Sequence, residues 1–448
     1  VAGAALTRGM AYLVVSAVTV GALVPLMPTT ALKLALLLVV GSVVIATLMA
    51  RSGRVLDPAW VFVSQLYILI PVNAVLLDQG VQGPVLVGVA VAPMPFVLAV
   101  LATRPDVRRR LVLLAPLAAI GIIVTASIVW TRDPVYGVDK LSVWLANGFL
   151  PAVSVFVLAS ARRDMSWGIV VAFAVLYALA LLVLGSAWNP GSSRVTVFDQ
   201  NPIWAARALL FGTVVAIFGP FRPAVRIGAV LVTVPAAALT SSLGPTVGML
   251  LGVTAGGVEI LRLASRAGRR AAIGWVFLGI AFGLGVIVVA SGLLDPMLGP
   301  VIRDPNVSSR ADLLAASAPL FLESPIFGIG AGGFATTGLD LYPHNLIAEV
   351  AVELGLVGLA ALACWIVMAF CGALGSPLLV ALVAATLTYT LFSGTLAFQI
   401  EFWLISALAV AGLLVPARGE SAVTVPAQAR RGGPVVTRPG LSSPSTPR

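Results

Sequence analysis

The chain has one histidine, His344, in the run Tyr342-Pro343-His344-Asn345. Imidazole is the side chain best suited to moving protons near neutral pH, and here it stands beside a proline at the start of an apolar helix. Arginine supplies the complementary chemistry. In Ser308-Ser309-Arg310-Ala311-Asp312, Ser309 and Asp312 have the spacing of a capping box, and Leu313, Leu314, Ala316, Leu320 and Phe321 form an apolar stripe suited to a membrane interface. That spacing predicts Arg310 in a first helical turn, where free N–H groups, the positive dipole end and a guanidinium converge on a phosphate. The plain alternative is a surface arginine on an amphipathic helix, and Asp312 weakens an anion site.

A second polar run carries Arg194, then Asn201-Pro202, with Arg207 shallow in the following helix and able to snorkel outward. Two arginines at one mouth read as a diphosphate clamp, or, for Arg207, as contact with lipid headgroups. Glu349 and Glu353 share one helix face that points away from His344, which favours interhelix hydrogen bonding. Gly355 and Gly358 fit close helix packing, and the glycine run at 328–333 reads as a tight turn. Arg132 and Lys140, with Asp133 and Asp139, read as solvated turns. No acid-x-acid or histidine cluster has metal-ligand spacing, and two cysteines are too few for a thiolate site. Metal and cofactor chemistry are therefore not expected.

These residues need a scaffold, and composition says which. The 448 residues are 60% hydrophobic and 10% charged, with mean hydropathy +1.07. Soluble domains carry about 25% charged residues, so the solvent here is the lipid bilayer. Apolar runs of the ~20 residues needed to cross it number about fourteen. They fall near 10–27, 31–50, 60–77, 84–102, 111–130, 141–160, 166–188, 202–219, 227–240, 246–261, 271–294, 346–370, 377–395 and 398–415. The expected fold is all-α and polytopic, with 12 to 14 transmembrane helices over residues 1–416. One large extracytoplasmic loop, 295–344, holds a short amphipathic helix. No convincing internal repeat is present.

Arginines resist translocation and collect on the cytoplasmic side. With the N-terminus inside, twenty cations fall in cytoplasmic loops and the tail, and six fall outside. The net charge of +10 is thus mostly a topology signal, and nucleic acid is not an expected partner. The first apolar run lacks a convincing cleavage site and reads as a retained anchor. Residues 417–448, rich in Pro, Ser, Gly and Arg, read as a disordered basic cytoplasmic tail.

Arg310, Pro325-Ile326-Phe327-Gly328-Ile329-Gly330, and His344-Asn345-x-x-x-Glu349-x-x-x-Glu353-Leu354-Gly355-Leu356-Val357-Gly358 resemble the core signature of the bacterial O-antigen ligase and O-antigen polymerase family. Arg194 through Asn201-Pro202 resembles an earlier element of it. The resemblance implies a metal-independent glycosyltransferase of the cytoplasmic membrane whose active site faces outside. It would pass a glycan from an undecaprenyl diphosphate carrier to a glycan or lipid acceptor. Arg194 and Arg310, with Arg207, would bind the diphosphate, His344 would act on the acceptor hydroxyl, and Asn345, Glu349, Asn201 and Tyr342 would support them. One position departs from the pattern: Thr240-Ser241-Ser242-Leu243-Gly244 has leucine where the family often has arginine. That arginine is dispensable, or Arg207 substitutes for it, or activity or substrate differs. The competing function is a transporter or flippase for lipid-linked or amphiphilic solutes.

Overall fold

A computed structural model describes residues 55–69, 88–162, 165–188, 195, 201–265 and 305–413. The runs at 10–27, 31–50 and 271–294, the tail at 417–448, and Arg194 lie outside the described residues. Helix dominates, and no strand occurs among the described residues. In chain order the helices are α1 (Ala59–Leu69), α2 (Gly88–Thr103), α3 (Pro105–Ser127), α4 (Pro134–Ala161), α5 (Trp167–Trp188), α6 (Pro202–Phe218), α7 (Pro223–Leu239), α8 (Leu243–Ser265), α9 (Pro305–Glu323), α10 (Leu346–Ala373), α11 (Pro377–Ser393) and α12 (Ile400–Gly412). Five of these spans are long and apolar enough to cross a membrane, which makes this a polytopic helical membrane protein.

Local chemistry sets the ends. Proline occupies the first turn of α3, α4, α6, α7 and α11, where its missing N–H costs nothing. Asp133 caps α4 by accepting from Tyr136 N (3.0 Å), and Asn201 caps α6 by accepting from Ile203 N (2.9 Å). Because Asp133-Pro134 starts α4 well before the expected position 141, Lys140 falls inside a helix rather than in a solvated turn.

The short helices α6 and α12 are buried nearly all round and form the centre of the bundle. Trp144, Trp365, Phe211 and Trp403 fill the space around them. The peripheral helices expose Ile122, Val183, Leu231, Leu250 and Val367, an apolar surface suited to lipid. Helices α8 and α11 approach closely along Gly244, Gly248, Gly252 and Gly256. A Cβ at Gly248 would strike the Tyr389 ring, and one at Gly252 would lie 2.6 Å from the Ala381 carbonyl. This four-residue glycine period was readable in the sequence and is absent from the expectations above.

Helix α9 differs from expectation. It starts at Pro305, so Ser309 is not its cap and Arg310 stands in the second turn, away from the first free N–H groups. Part of its apolar stripe is covered by protein: Leu313, Leu320 and Phe321 pack on Ile329, Phe334 and Val352, while Leu314 stays exposed. Gly355 also serves another purpose than packing. It has φ +66° and breaks α10, and residues 325–330 lie against the break. Ile329 N donates to Val352 O (2.9 Å), Gly330 N to Glu353 O (3.0 Å), Leu356 N to Pro325 O (2.8 Å) and Val357 N to Ile326 O (3.2 Å). The broken helix thereby regains partners for the peptide groups it frees. The tight turn expected at 328–333 is present, with positive φ at Gly328, Gly330 and Gly332.

Candidate active site

His344 sits in the link before α10 with φ +54°, a left-handed conformation that histidine tolerates better than most residues. Its Nε2 lies 3.0 Å from Asp340 Oδ2, and its ring packs on Tyr342 with centroids 4.5 Å apart. A carboxylate only accepts hydrogen bonds, so the Asp340 contact places the proton on Nε2 and leaves Nδ1 as the basic nitrogen. That Nδ1 is buried and has no hydrogen-bond partner. Burial, with Glu349 nearby, raises the Tyr342 phenol above its ordinary range and keeps it a neutral hydroxyl. Asp340, four residues before the only histidine, escaped sequence reasoning; its spacing was the one available signal.

The arginines converge on the end of α11. Arg310 Nη1 donates to Phe392 O (2.9 Å), and Arg207 Nη2 donates to Ser393 O (2.7 Å). Asn345 Nδ2 donates to Leu391 O (3.0 Å), while Gly394 N donates to the His344 carbonyl (3.1 Å). Four site residues are therefore mounted on one strap, residues 391–394. Helix C-termini carry partial negative charge, which suits guanidinium groups. Arg207 does not snorkel: it is 1% exposed, and its Nε has no hydrogen-bond partner. Asn345 also caps α10, accepting from Ile347 N (3.0 Å) and Ala348 N (3.1 Å). Asn201 is exposed, and its side chain serves the start of α6.

Glu349 anchors the strap from below. Its carboxylate accepts from Thr395 Oγ1 (2.9 Å) and Leu396 N (2.7 Å) and pairs with Lys140. Lys140 also pairs with Glu353 at 2.6 Å and is 2% exposed, where solvated turns were expected. Arg132 is exposed and pairs with Glu323. The turn at 240–243 has Ser241 at φ +50°, and Val195 N, one residue after Arg194, donates to Leu239 O (3.0 Å). Gly244 abuts Phe392, so this turn, with Leu243 at its end, lies against the strap that Arg207 and Arg310 hold. Among the described residues no group of three or more His, Cys, Asp or Glu is arranged to hold a metal.

The class so defined is a multi-helix membrane protein with a histidine–carboxylate pair and arginines gathered at one end of its helices. Residues 227–363 match the family model described as O-antigen ligase. The match includes Arg310, Asp340, His344, Glu349 and Glu353; Lys140 and Arg207 precede it, and the strap follows it. None of the curated proteins compared with the chain matches it.

Proposed function

We propose that this protein transfers a glycan from an undecaprenyl diphosphate carrier to an acceptor hydroxyl, as an O-antigen ligase or a polymerase-like relative in surface polysaccharide assembly. The family match supports the class of reaction. The observation that carries the reading is the mounting of Arg207, Arg310, Asn345 and His344 on one four-residue strap. In the proposed reaction the acceptor oxygen forms the new bond to the anomeric carbon and gives its proton to the His344 imidazole. The bond from that carbon to the carrier phosphate breaks, and the diphosphate leaves with the electron pair. Arg310 and Arg194 meet the charge it gains, and the buried Arg207 adds to the positive field. Asp340 keeps the imidazole in the required tautomer and stabilises the imidazolium that forms. The arginine distribution supports cytoplasmic termini and an active site on the opposite face of a bacterial cytoplasmic membrane. Glycan and lipid hydroxyls both fit the role of acceptor.

A broken helix is also a mark of transporters, whose freed peptide groups bind substrate. Here residues 325–330 take those groups at the Gly355 break, which disfavours that use.

The test uses the full chain in nanodiscs, given an undecaprenyl-diphosphate glycan and an acceptor, with release of the carrier diphosphate as the readout. His344→Asn keeps a residue that tolerates the left-handed backbone and should lower turnover by about 10²–10⁴-fold. Asp340→Asn should lower it less, and Arg310→Ala should abolish saturable donor binding. Unchanged release in all three variants would overturn the proposal.

A further inference from the structure

Lys140 lies fully inside the bundle, yet the proposed chemistry does not use it. An ammonium between two carboxylates, all three at most 2% exposed, is not explained by stability, because apolar side chains of similar volume commonly serve as well. What the arrangement does is geometrical. Lys140 holds Glu349, Glu349 takes both Thr395 Oγ1 and Leu396 N, and these adjoin the strap on which the site residues are mounted. The start of α4 and the residue Thr131 before it touch the glycine turn at 328–333. Thr131 Oγ1 donates to Ala331 O (2.6 Å), and Gly332 approaches Gly137 and Tyr136 so closely that a Cβ there would lie 2.8 Å from Gly137 N. The start of α4 therefore joins the glycine turn to the strap, with Lys140 as the charged end of the joint.

We propose that Lys140 is a positioning residue of the donor site: through Glu349 it fixes the 391–394 strap, and so the placement of Arg310, Arg207 and His344. This rests on the function proposed above. The path is specific, running through Glu349 and Thr395. Glu353 pairs with Lys140 and makes no hydrogen bond to the strap among the described residues.

The experiment compares the parent with Lys140→Met, Thr395→Val and Glu353→Gln, all as full-length protein in nanodiscs. Geranyl diphosphate is the binding probe, melting temperature reports folding, and hydrogen–deuterium exchange reports the peptide spanning 388–399. Lys140→Met should weaken diphosphate binding at least tenfold and speed exchange across the strap. Thr395→Val removes the bond to Glu349 and a long one from Ala397 N (3.5 Å), and no charge; it should weaken binding three- to tenfold with a near-parental melting temperature. Glu353→Gln should leave binding within twofold and strap exchange unchanged. Should Lys140→Met not fold, Thr395→Val against Glu353→Gln decides alone. Parental binding in both Lys140→Met and Thr395→Val would overturn the role, as would losses in all three variants that merely track melting temperature. A parent whose geranyl diphosphate binding does not depend on Arg310 would overturn the donor-site reading, and this role with it, even if the strap still loosened.

Discussion

Two segments pack along α10, and they are held in opposite ways. Residues 325–330 are bound to the broken helix α10 almost wholly by backbone, with four peptide hydrogen bonds spanning the break. Residues 391–398 are bound by side chains: Arg310, Arg207, Asn345 and Glu349 each take a main-chain group, and Lys140 stands behind Glu349. Backbone pairing depends on the path of the chain and tolerates changes in most side chains. Side-chain mounting ties the strap to the charges that the proposed reaction uses. The first segment is held largely without its side chains, and the second depends on the side chains of other elements.

The sharpest way to break this comparison is at its backbone half. Gly355→Ala forces a Cβ into φ +66° and against the Ile326 carbonyl, where peptide groups cannot move aside. The expected loss is at or above the ~1–3 kcal/mol of a strained backbone position. It should appear as a collapsed melting temperature and a poor yield of monodisperse protein. A near-parental melting curve would show that the break is not held as described.

Arg310→Lys probes the other half and should separate function from stability. One ammonium cannot both cap Phe392 O and grip a phosphate as a planar guanidinium does. Turnover on lipid-linked donor should fall roughly 10–100-fold, equivalent to about 1.4–2.7 kcal/mol. The melting temperature should barely move. Equal loss in both readouts would make the arginine a structural pin and erase the contrast between the segments.

The same contrast explains what could be read from sequence. The helices were legible because ~20-residue apolar runs separated by Pro, Gly and Arg leave few alternatives in lipid. The 328–333 turn was legible because only glycine occupies such backbone readily. The break at Gly355 was not, since a glycine inside an apolar run looks the same whether it packs a helix or interrupts it. Lys140 was misread for a different reason. Beside Asp139 it resembles a solvated pair, and its partners lie 209 and 213 residues further along the chain, at Glu349 and Glu353. Asp340 was missed because one carboxylate four residues from a histidine carries little signal until the turn at 338–344 folds it back. Arg207 was expected to snorkel outward and is instead buried: nothing local announces that its solvent would be the carbonyls of Ser393 and Phe398.

Asn345→Ala acts on the strap and on the start of α10 at once, which makes it a finer test. It removes the α10 cap and the bond to Leu391 O, so about 1–2 kcal/mol of stability should go. Because the strap keeps Arg310, Arg207 and Glu349, turnover at a temperature well below melting should fall by no more than severalfold. A loss as deep as that of His344→Asn would instead give Asn345 a direct part in the chemistry.

The smallest effect belongs to Trp130→Phe. The Trp130 indole N–H donates to Gly328 O at 3.3 Å, and its ring meets Phe327 edge to face at 6.4 Å. Phenylalanine keeps an aromatic contact and drops the hydrogen bond, which on a half-exposed, long bond is worth at most about 0.5–1 kcal/mol. If the glycine segment is secured by its own backbone, melting should shift by a degree or two and turnover should not change. A larger drop, matched by faster exchange across 325–330, would mean that this segment too is mounted on side chains. The two halves of the site would then differ in degree rather than in kind.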